Sequence, residues 1–270
     1  MVTSLSSQSR PRALWRGINA SVGAFFLYIG GFAVLMVKTV FWVFAPRMRK
    51  RQVLEQMARI GVASSPIIIL ISFFTGMVLA LQSAYQMQKV SAEMYIASLV
   101  ALSLTRELGP VLTALIVAGR CGAAITAALG TMKVTEQVEA LETLSANPIQ
   151  YLVVPRFLAM LVMLPLLTIF ADIFGMLGGY VIGVGKLSIP HAMYINMTWR
   201  PLVLKDVITG LIKSVSFAVI ISGIACFEGL NSRGGAEGVG RATTSSVVKS
   251  FILVILVDCL LTALFYFMSG

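Results

Sequence analysis

The amino-acid composition predicts an all-α membrane protein that crosses the bilayer several times. Hydrophobic residues make up 58% of the 270 residues, charged residues make up only 12%, and the mean hydropathy is +0.90. Soluble domains are about 45–50% apolar, so this chain does not have the composition of one. Its apolar runs are long enough for helices that cross a bilayer core of roughly 30 Å.

The net charge of +10 does not indicate nucleic acid as a partner. The basic residues cluster between the apolar runs, where they orient membrane helices and meet anionic lipid headgroups. We therefore expect the membrane itself as the partner of these residues.

The first 60 residues are expected to form a basic segment followed by an interfacial or re-entrant helix. The apolar stretch at residues 22–45 has a basic cluster on each side, and the positive-inside rule places both clusters in the cytoplasm. A helix that lies in the interface, or dips in and returns, satisfies that rule, whereas a true span does not. The spanning alternative stays open.

Residues 61–270 are expected to form a five-span membrane domain with an inner N-terminus and an outer C-terminus. The predicted spans follow one another at residues 61–85, 94–130, 149–185, 202–229 and 246–268. Pro110 predicts a kink in the second span, because proline has no N–H for the preceding turn. Small residues at positions 114, 118, 122, 126 and 130 predict close helix packing, either within the chain or across a homodimer.

A short acidic helix is predicted after the second span, at about residues 134–146. Thr135 is expected to cap it, and Asn147 with Pro148 to end it. Three acidic and three apolar residues recur at helical spacing, which predicts adjacent acidic and apolar stripes suited to binding a partner protein at the membrane surface. The stripes consist of Glu136, Glu139, Glu142, Val138, Leu141 and Leu144.

Several ionisable residues lie in or near the predicted spans, where charge is costly and functional roles are common. Three of them lie in the second span, namely Arg106, Glu107 and Arg120. Arg106 and Glu107 are adjacent, so on a helix they point about 100° apart. They either pair with other helices or face a polar cavity that meets a substrate headgroup. Asp172, Lys213 and Asp258 are expected to pair between helices; the alternative is an ion relay in a self-contained carrier or channel.

Candidate catalytic and metal-binding residues are few. His191 is the only histidine and stands far from any cysteine or acid in the sequence. The glycine-rich loop at residues 229–246 lacks the Lys-Ser/Thr pair with which a Walker A loop holds nucleotide phosphates, so it is interpreted as a connector. We expect no catalytic residue, no metal site and no cofactor in this chain.

Four motifs carry a family resemblance: LSLTRELG at 102–109, AGR at 118–120, LGTMKVTEQVEAL at 129–141 and GVGRATTSSVV at 238–248. From about residue 61 onward the chain resembles the MlaE/YrbE family of ABC-transporter permeases. The resemblance implies a homodimer in the bacterial inner membrane, two cytoplasmic ATPase subunits that bind ATP and Mg, and a periplasmic MCE-domain lipid-binding protein. It implies phospholipid movement between the inner membrane and the outer envelope.

The resemblance also implies roles for particular residues. The helix at 134–144 would couple the permease to the ATPase. Arg106 and Glu107 would lie near the lipid pocket together with Leu79, Met87 and Leu108. A self-contained ion-coupled carrier remains the competing hypothesis, but such a carrier would not need a cytoplasmic helix for a partner.

Overall fold

The computed structural model describes residues 9–44 and 50–268, and within these ranges the chain contains helices and no strand. We number the α-helices in chain order. They are α1 Ser9–Val43, α2 Lys50–Met57, α3 Ser65–Met87, α4 Ile96–Ser103, α5 Gly109–Val117, α6 Ala123–Val134, α7 Gln137–Thr143, α8 Val154–Gly185, α9 His191–Trp199, α10 Leu204–Leu230 and α11 Gly235–Met268.

Four turns of π-helix join or precede these helices. A π turn holds one extra residue per turn, which changes the direction of the side chains that follow, and such turns occur often at functional sites. Pro110 stands at the start of α5, directly after the second π turn, where its missing N–H costs little. The four π turns are Ala58–Val62, Leu104–Leu108, Ala118–Gly122 and Ile149–Val153.

The predicted all-α polytopic class is confirmed. In the described residues, six helical segments are long and apolar enough to cross a membrane, and five of them correspond to the predicted spans. The sixth is the first apolar stretch, for which crossing or lying in the interface stays open. The six segments are Phe26–Val43, Lys50–Met87, Glu93–Val134, Ile149–Gly185, Leu204–Leu230 and Gly235–Phe267.

Helix α1 is continuous, so the chain does not turn back within it as a re-entrant segment would. It packs against the last turns of α10. The Tyr28 hydroxyl donates a hydrogen bond to Glu228 Oε1 at 2.6 Å, and Gly31 lies against the Phe227 ring. Farther along α1, Phe32 and Met36 pack over Gly223, so these contacts of α1 with α10 are confined to residues 223–228.

The antiparallel helices bury two apolar clusters, one toward each end of the bundle. The larger cluster includes Leu129, Val138 and Phe217, and it lies toward the end that carries α7, which we call the α7 end. The smaller cluster includes Ile96 and Tyr194, and it lies toward the opposite end, the α9 end. These two names are used below for the ends of the bundle.

Glycines allow the closest helix contact, which is between α3 and α8. A Cβ added to Gly76 would lie 1.8 Å from the Gly175 carbonyl oxygen, and one added to Gly178 would lie 2.0 Å from the Phe73 carbonyl oxygen. Neither site has room for a methyl group. Small residues that let backbones approach this closely are typical of membrane helix pairs.

The stripe of small residues from position 114 to 130 packs within the chain. Thr126 Oγ1 donates to the carbonyl oxygen of Ala225 at 3.1 Å and lies 2.9 Å from Ser246 Oγ. Gly130 lies against Val239. The stripe therefore faces α10 and α11, which decides between the two alternatives that its sequence left open.

The acidic helix is shorter than predicted, because the turn before it is not the expected cap. Thr135 Oγ1 donates to the carbonyl oxygen of Thr131 in the preceding turn, and so it extends α6 without capping α7. Glu136 has a φ of 57°, a left-handed conformation that separates the two helices. Asn147 Oδ1 accepts the Ile149 N–H at 3.0 Å, so this residue caps the next helical segment.

The glycine-rich connector is also shorter than predicted. Gly234 and Gly235 have φ values of 90° and 68°, which glycine adopts readily, and α11 begins at once. The later part of the predicted connector, including Thr243, Thr244, Ser245 and Ser246, therefore lies inside α11. The local pattern of Gly, Ser and Thr did not reveal this helix, because its contacts are with α6: Val239 packs against Gly130, and Ser246 lies within hydrogen-bond distance of Thr126.

Candidate functional site

The first π turn within the second span places two adjacent charges in one cavity. Arg106 and Glu107 lie in the π turn Leu104–Leu108, and both side chains contact residues of α10 or α11. The cavity has a volume of about 210 Å³ and lies toward the α9 end. We call it the Arg106 cavity.

Arg106 pairs with the first turn of α10. Its Nη2 lies 2.7 Å from Asp206 Oδ1, and its Nε donates to the same oxygen at 2.8 Å. The other carboxylate oxygen of Asp206 accepts the Val203 N–H at 3.2 Å at the start of the helix. Asp206 is buried, so its charge is held by the helix terminus and by Arg106 together.

Lys213 is the centre of a second set of contacts in the same cavity. This side chain is 1% exposed, and its Nζ lies 2.5 Å from Glu107 Oε2 and 3.0 Å from Asp258 Oδ1. It also donates to Thr262 Oγ1 at 2.7 Å. One buried ammonium thus joins three helical segments, and two carboxylates share its charge.

The cavity combines charged and aromatic walls. The side chains of Arg106 and Glu107 remain 54% and 41% exposed, so both charged groups are still accessible to a ligand. Lys205 adds a cation, while Phe265 and Tyr266 of α11 add aromatic surface. Such a site can bind an anionic group beside an apolar one.

The other predicted pocket residues lie elsewhere. Leu79, Met87 and Leu108 are partly buried and pack against the smaller apolar cluster at the α9 end. They do not line the Arg106 cavity. The structure therefore brings together two of the five predicted substrate residues, and a lipid-binding role for the other three stays a prediction.

Asp172 does not join Lys213 and Asp258. It lies on α8, against Gly109, where a Cβ would be 1.9 Å from Asp172 Oδ1. That oxygen is buried and has no hydrogen-bond partner among the described residues. The three-residue relay proposed for an ion-coupled carrier is consequently not assembled, although pairing between Lys213 and Asp258 is present.

Helix α7 divides its apolar stripe between the protein and its surroundings. Val138 is buried and Leu141 is partly buried, and both pack against the larger apolar cluster. Leu144 is 77% exposed. The apolar residues were expected to face a partner together, but the chain's own core takes the first two, because α7 is folded back by the turn at Glu136.

The acidic residues of this region also differ from one another. Glu139 accepts a hydrogen bond from Lys133 Nζ, which lowers the pKa of its carboxyl group. Glu136 and Glu142 are exposed, and within the described residues their side chains make no ion pair and no hydrogen bond. Glu142 borders a cavity of about 630 Å³ between α1 and α7, which Lys38 and Trp42 also line.

The six apolar helical segments and the buried charges between them define a polytopic membrane protein, and charges at such depth are typical of transport pathways. Comparison with known proteins then gives the family. The family model described as Permease MlaE matches residues 53–264. This match covers most of the chain, including Arg106, Glu107 and the whole of α7.

Relatives support the same assignment. A probable ABC transporter permease protein of Rickettsia typhi is 47% identical over 238 residues, which are 88% of this chain and 92% of that protein. The intermembrane phospholipid transport system permease protein MlaE of Haemophilus influenzae is 40% identical over 228 residues, or 82% and 86% of the two chains. The chloroplastic protein TRIGALACTOSYLDIACYLGLYCEROL 1 of Arabidopsis thaliana is 34% identical, covering 98% and 72%.

The chain belongs to the MlaE permease family, so it is a permease of an ABC transport system. Permeases of this kind are transport subunits and not enzymes. The family resemblance of the four sequence motifs is thereby confirmed.

Proposed function

We propose that this chain is the inner-membrane subunit of an ATP-driven phospholipid transporter. In this proposal it acts as a homodimer with a cytoplasmic ATPase that binds ATP and Mg, and with a periplasmic MCE-domain protein. The Haemophilus relative, named for intermembrane phospholipid transport, supports the substrate. Transport would connect the inner membrane with the outer envelope.

The observation that carries the proposal is the Arg106 cavity. A phospholipid offers an anionic phosphate next to apolar chains, and the cavity offers exposed cations next to aromatic side chains. Arg106 keeps half of its surface free for a ligand although Asp206 orients it. Arginine suits phosphate because its planar guanidinium can donate two parallel hydrogen bonds.

The orientation in this proposal places the α7 end in the cytoplasm. Exposed Leu144 and Glu142 would then offer an apolar anchor and a charge to the ATPase. The side-chain contacts of α1 with α10 lie at residues 223–228, near the same end of the bundle, and α1 also packs against the π turn Ile149–Val153 and α8. The contacts with α10 support an interfacial position for α1. A helix crossing the membrane beside α10 would be expected to contact it along more of its length.

A purification in mild detergent tests the proposal. Affinity capture of the full chain should recover an ATPase chain and bound phospholipid, identified by mass spectrometry, and crosslinking should give a dimer of the captured chain. The proposal would be contradicted if the chain were recovered without an ATPase and if proteoliposomes that contain the chain alone showed ion flux. Those results would favour the ion-coupled carrier.

A further inference from the structure

A second charged cavity, of about 180 Å³, lies toward the α7 end of the bundle. Three arginines line it, namely Arg59, Arg120 and Arg156, and its described lining contains no aspartate or glutamate. This differs from the Arg106 cavity, where Arg106 and Lys213 are each paired with a carboxylate. The three positive charges have no counter-charge in the wall that they share.

Among the residues that the structure describes, most of the guanidinium donors in this cavity have no acceptor. Arg120 Nη1 donates to Ser64 Oγ at 2.6 Å, and Arg156 Nη1 donates to the Leu152 carbonyl oxygen at 2.7 Å. A guanidinium carries five N–H donors, so one bond leaves most of them for a ligand. Arg59 and Arg156 line the same cavity, where a bound anion would offset their like charges.

Each of the three arginines lies in a different π turn or shortly after one. Arg59 lies within Ala58–Val62, Arg120 lies within Ala118–Gly122, and Arg156 follows Ile149–Val153 by one helical turn. Ser64 is fully buried, so its hydroxyl fixes the direction of the Arg120 side chain. The arginines are thus positioned by separate rigid elements, a condition for preorganised binding.

The remaining walls are apolar and partly open. Ile60, Cys121 and Ile125 are buried, whereas Ala124 and Ala128 of α6 are exposed and too small to close the site. These alanines lie in a segment apolar enough to span a membrane. The cavity is smaller than the roughly 300–1,000 Å³ of pockets that enclose a whole ligand, so it suits a headgroup whose tail stays outside.

We propose that Arg59, Arg120 and Arg156 form a binding site for a phosphate group, presented as the headgroup of an anionic membrane lipid in the leaflet at the α7 end. Basic pockets between membrane helices bind such headgroups by charge-assisted hydrogen bonds. The site is separate from the Arg106 cavity, and it does not rest on the proposed transport function, since any bilayer can supply the lipid.

Native mass spectrometry of the full chain, titrated with dioleoylphosphatidylglycerol, tests this site. The double variant Arg59→Gln/Arg120→Gln should bind the lipid about tenfold more weakly or worse, because each substitution removes a charge-assisted donor set. The matched control is Arg51→Gln/Arg241→Gln, which removes the same charge from two exposed arginines that pair with acids on their own helices. It should bind like the unsubstituted chain.

A second variant keeps all three arginines. Ala128→Glu places a carboxylate at the cavity, where it should pair with the guanidiniums and compete with the lipid, lowering binding by a similar factor. Ala140→Glu, on the exposed face of α7, is the control. Thermal unfolding without lipid shows whether each variant is folded. If the arginine double variant does not fold, the lipid affinity of Ala128→Glu tests the site.

Competition separates the sources of phosphate. In one outcome, millimolar inorganic phosphate displaces the lipid and, on its own, raises the unfolding temperature of the unsubstituted chain. That pair of results would support the site with a free anion as its ligand. Lipid binding unaffected by phosphate would support the headgroup. The proposal would be overturned if the two double variants bound the lipid equally well, or if neutral dioleoylglycerol bound as tightly as the anionic lipid. It would also be overturned if the arginine substitutions removed a copurified protein and left lipid binding unchanged.

Discussion

Lys213 is the residue at which packing and charge are most closely linked. Its ammonium is almost completely buried, and Glu107, Asp258 and Thr262 surround it. A buried charge is costly unless its partners are well placed, and removing one member of such a set leaves the others uncompensated. The α10 helix is therefore held to the α5 and α11 regions by contacts that depend on one another.

Replacing Lys213 with methionine should destabilise the folded chain. We expect a loss of about 2–3 kcal/mol, below the 3–5 kcal/mol of fully buried pairs, because water reaches Glu107 and Asp258. Thermal unfolding in detergent measures the loss. Lys213→Met/Glu107→Gln/Asp258→Asn should recover most of it. The control is Lys205→Met, since Lys205 is an exposed cation of the same cavity; an equal loss there would refute the network.

Arg106 is the residue whose change should affect the lipid without affecting assembly. Arg106→Gln keeps a donor for Asp206 but removes the charge, so phospholipid recovered with the complex and transport in proteoliposomes should fall about tenfold. Arg200→Gln removes an exposed charge outside the cavity and should have no effect. If the complex dissociates in proportion to the lost transport, Arg106 has a structural role only.

At the scale of single elements, α7 shows why exposure matters more than pattern. Its predicted apolar stripe is regular in the sequence, but the turn at Glu136 directs Val138 and Leu141 into the larger apolar cluster. Only Leu144 remains available to a partner as a large apolar side chain. An apolar anchor is worth about 1.5–3 kcal/mol when buried, whereas an exposed ion pair is worth less than ~1 kcal/mol.

Leu144→Asp should therefore release the ATPase, with at least about a tenfold loss in its copurification, while the unfolding temperature of the permease stays unchanged. Glu142→Gln should do little beyond making the association less sensitive to salt. Leu141→Asp should lower the unfolding temperature, because it puts a charge against the core. Undiminished ATPase recovery with Leu144→Asp would place the coupling contact elsewhere, most plainly at the turn before α11.

The π turns determine where several of the charged side chains lie. Four of them interrupt the long helical segments, and Arg59, Arg106, Glu107 and Arg120 lie inside three of them. A regular helix would direct these side chains differently, because a π turn adds one residue. The sequence marked Arg106, Glu107 and Arg120 as costly charges, but it contained no signal that Arg120 would meet Arg59 and Arg156 in one cavity.

At the scale of the whole molecule, the position of α1 decides whether the chain crosses the membrane five or six times. Both alternatives agree with the length and composition of α1. The contacts of α1 near the end of α10 favour the interfacial position, since they place Tyr28 beside Glu228 and not beside the outer half of the bundle.

Cysteine accessibility tests this layout. In a Cys259→Ser background, which removes the exposed native thiol, Ser9→Cys and Lys50→Cys should both resist a membrane-impermeant thiol reagent added outside intact cells. Lys186→Cys, toward the α9 end, should react and serves as the positive control. Labelling of Ser9→Cys alone would show that α1 spans the membrane and that the N-terminus lies outside.

The sequence by itself determined the class, the family and the approximate span positions, because the length and hydropathy of each apolar run are local properties and the four motifs are contiguous. It also identified Arg106 and Glu107 as residues whose charge needs a partner or a ligand. Element ends were less well determined: Thr135 and Asn147 were both assigned to the wrong helix terminus, since a hydroxyl or an amide can bond in either direction.

Only the tertiary structure decided which residues meet. Lys213 is 106 residues from Glu107 in the chain, and nothing local records their contact. The same holds for the separation of Asp172 from this network, for the packing of the small-residue stripe inside the chain, and for the meeting of three arginines around one cavity. Contacts of this kind depend on how helices are oriented against each other, and each helix orientation is set by all of its neighbours together.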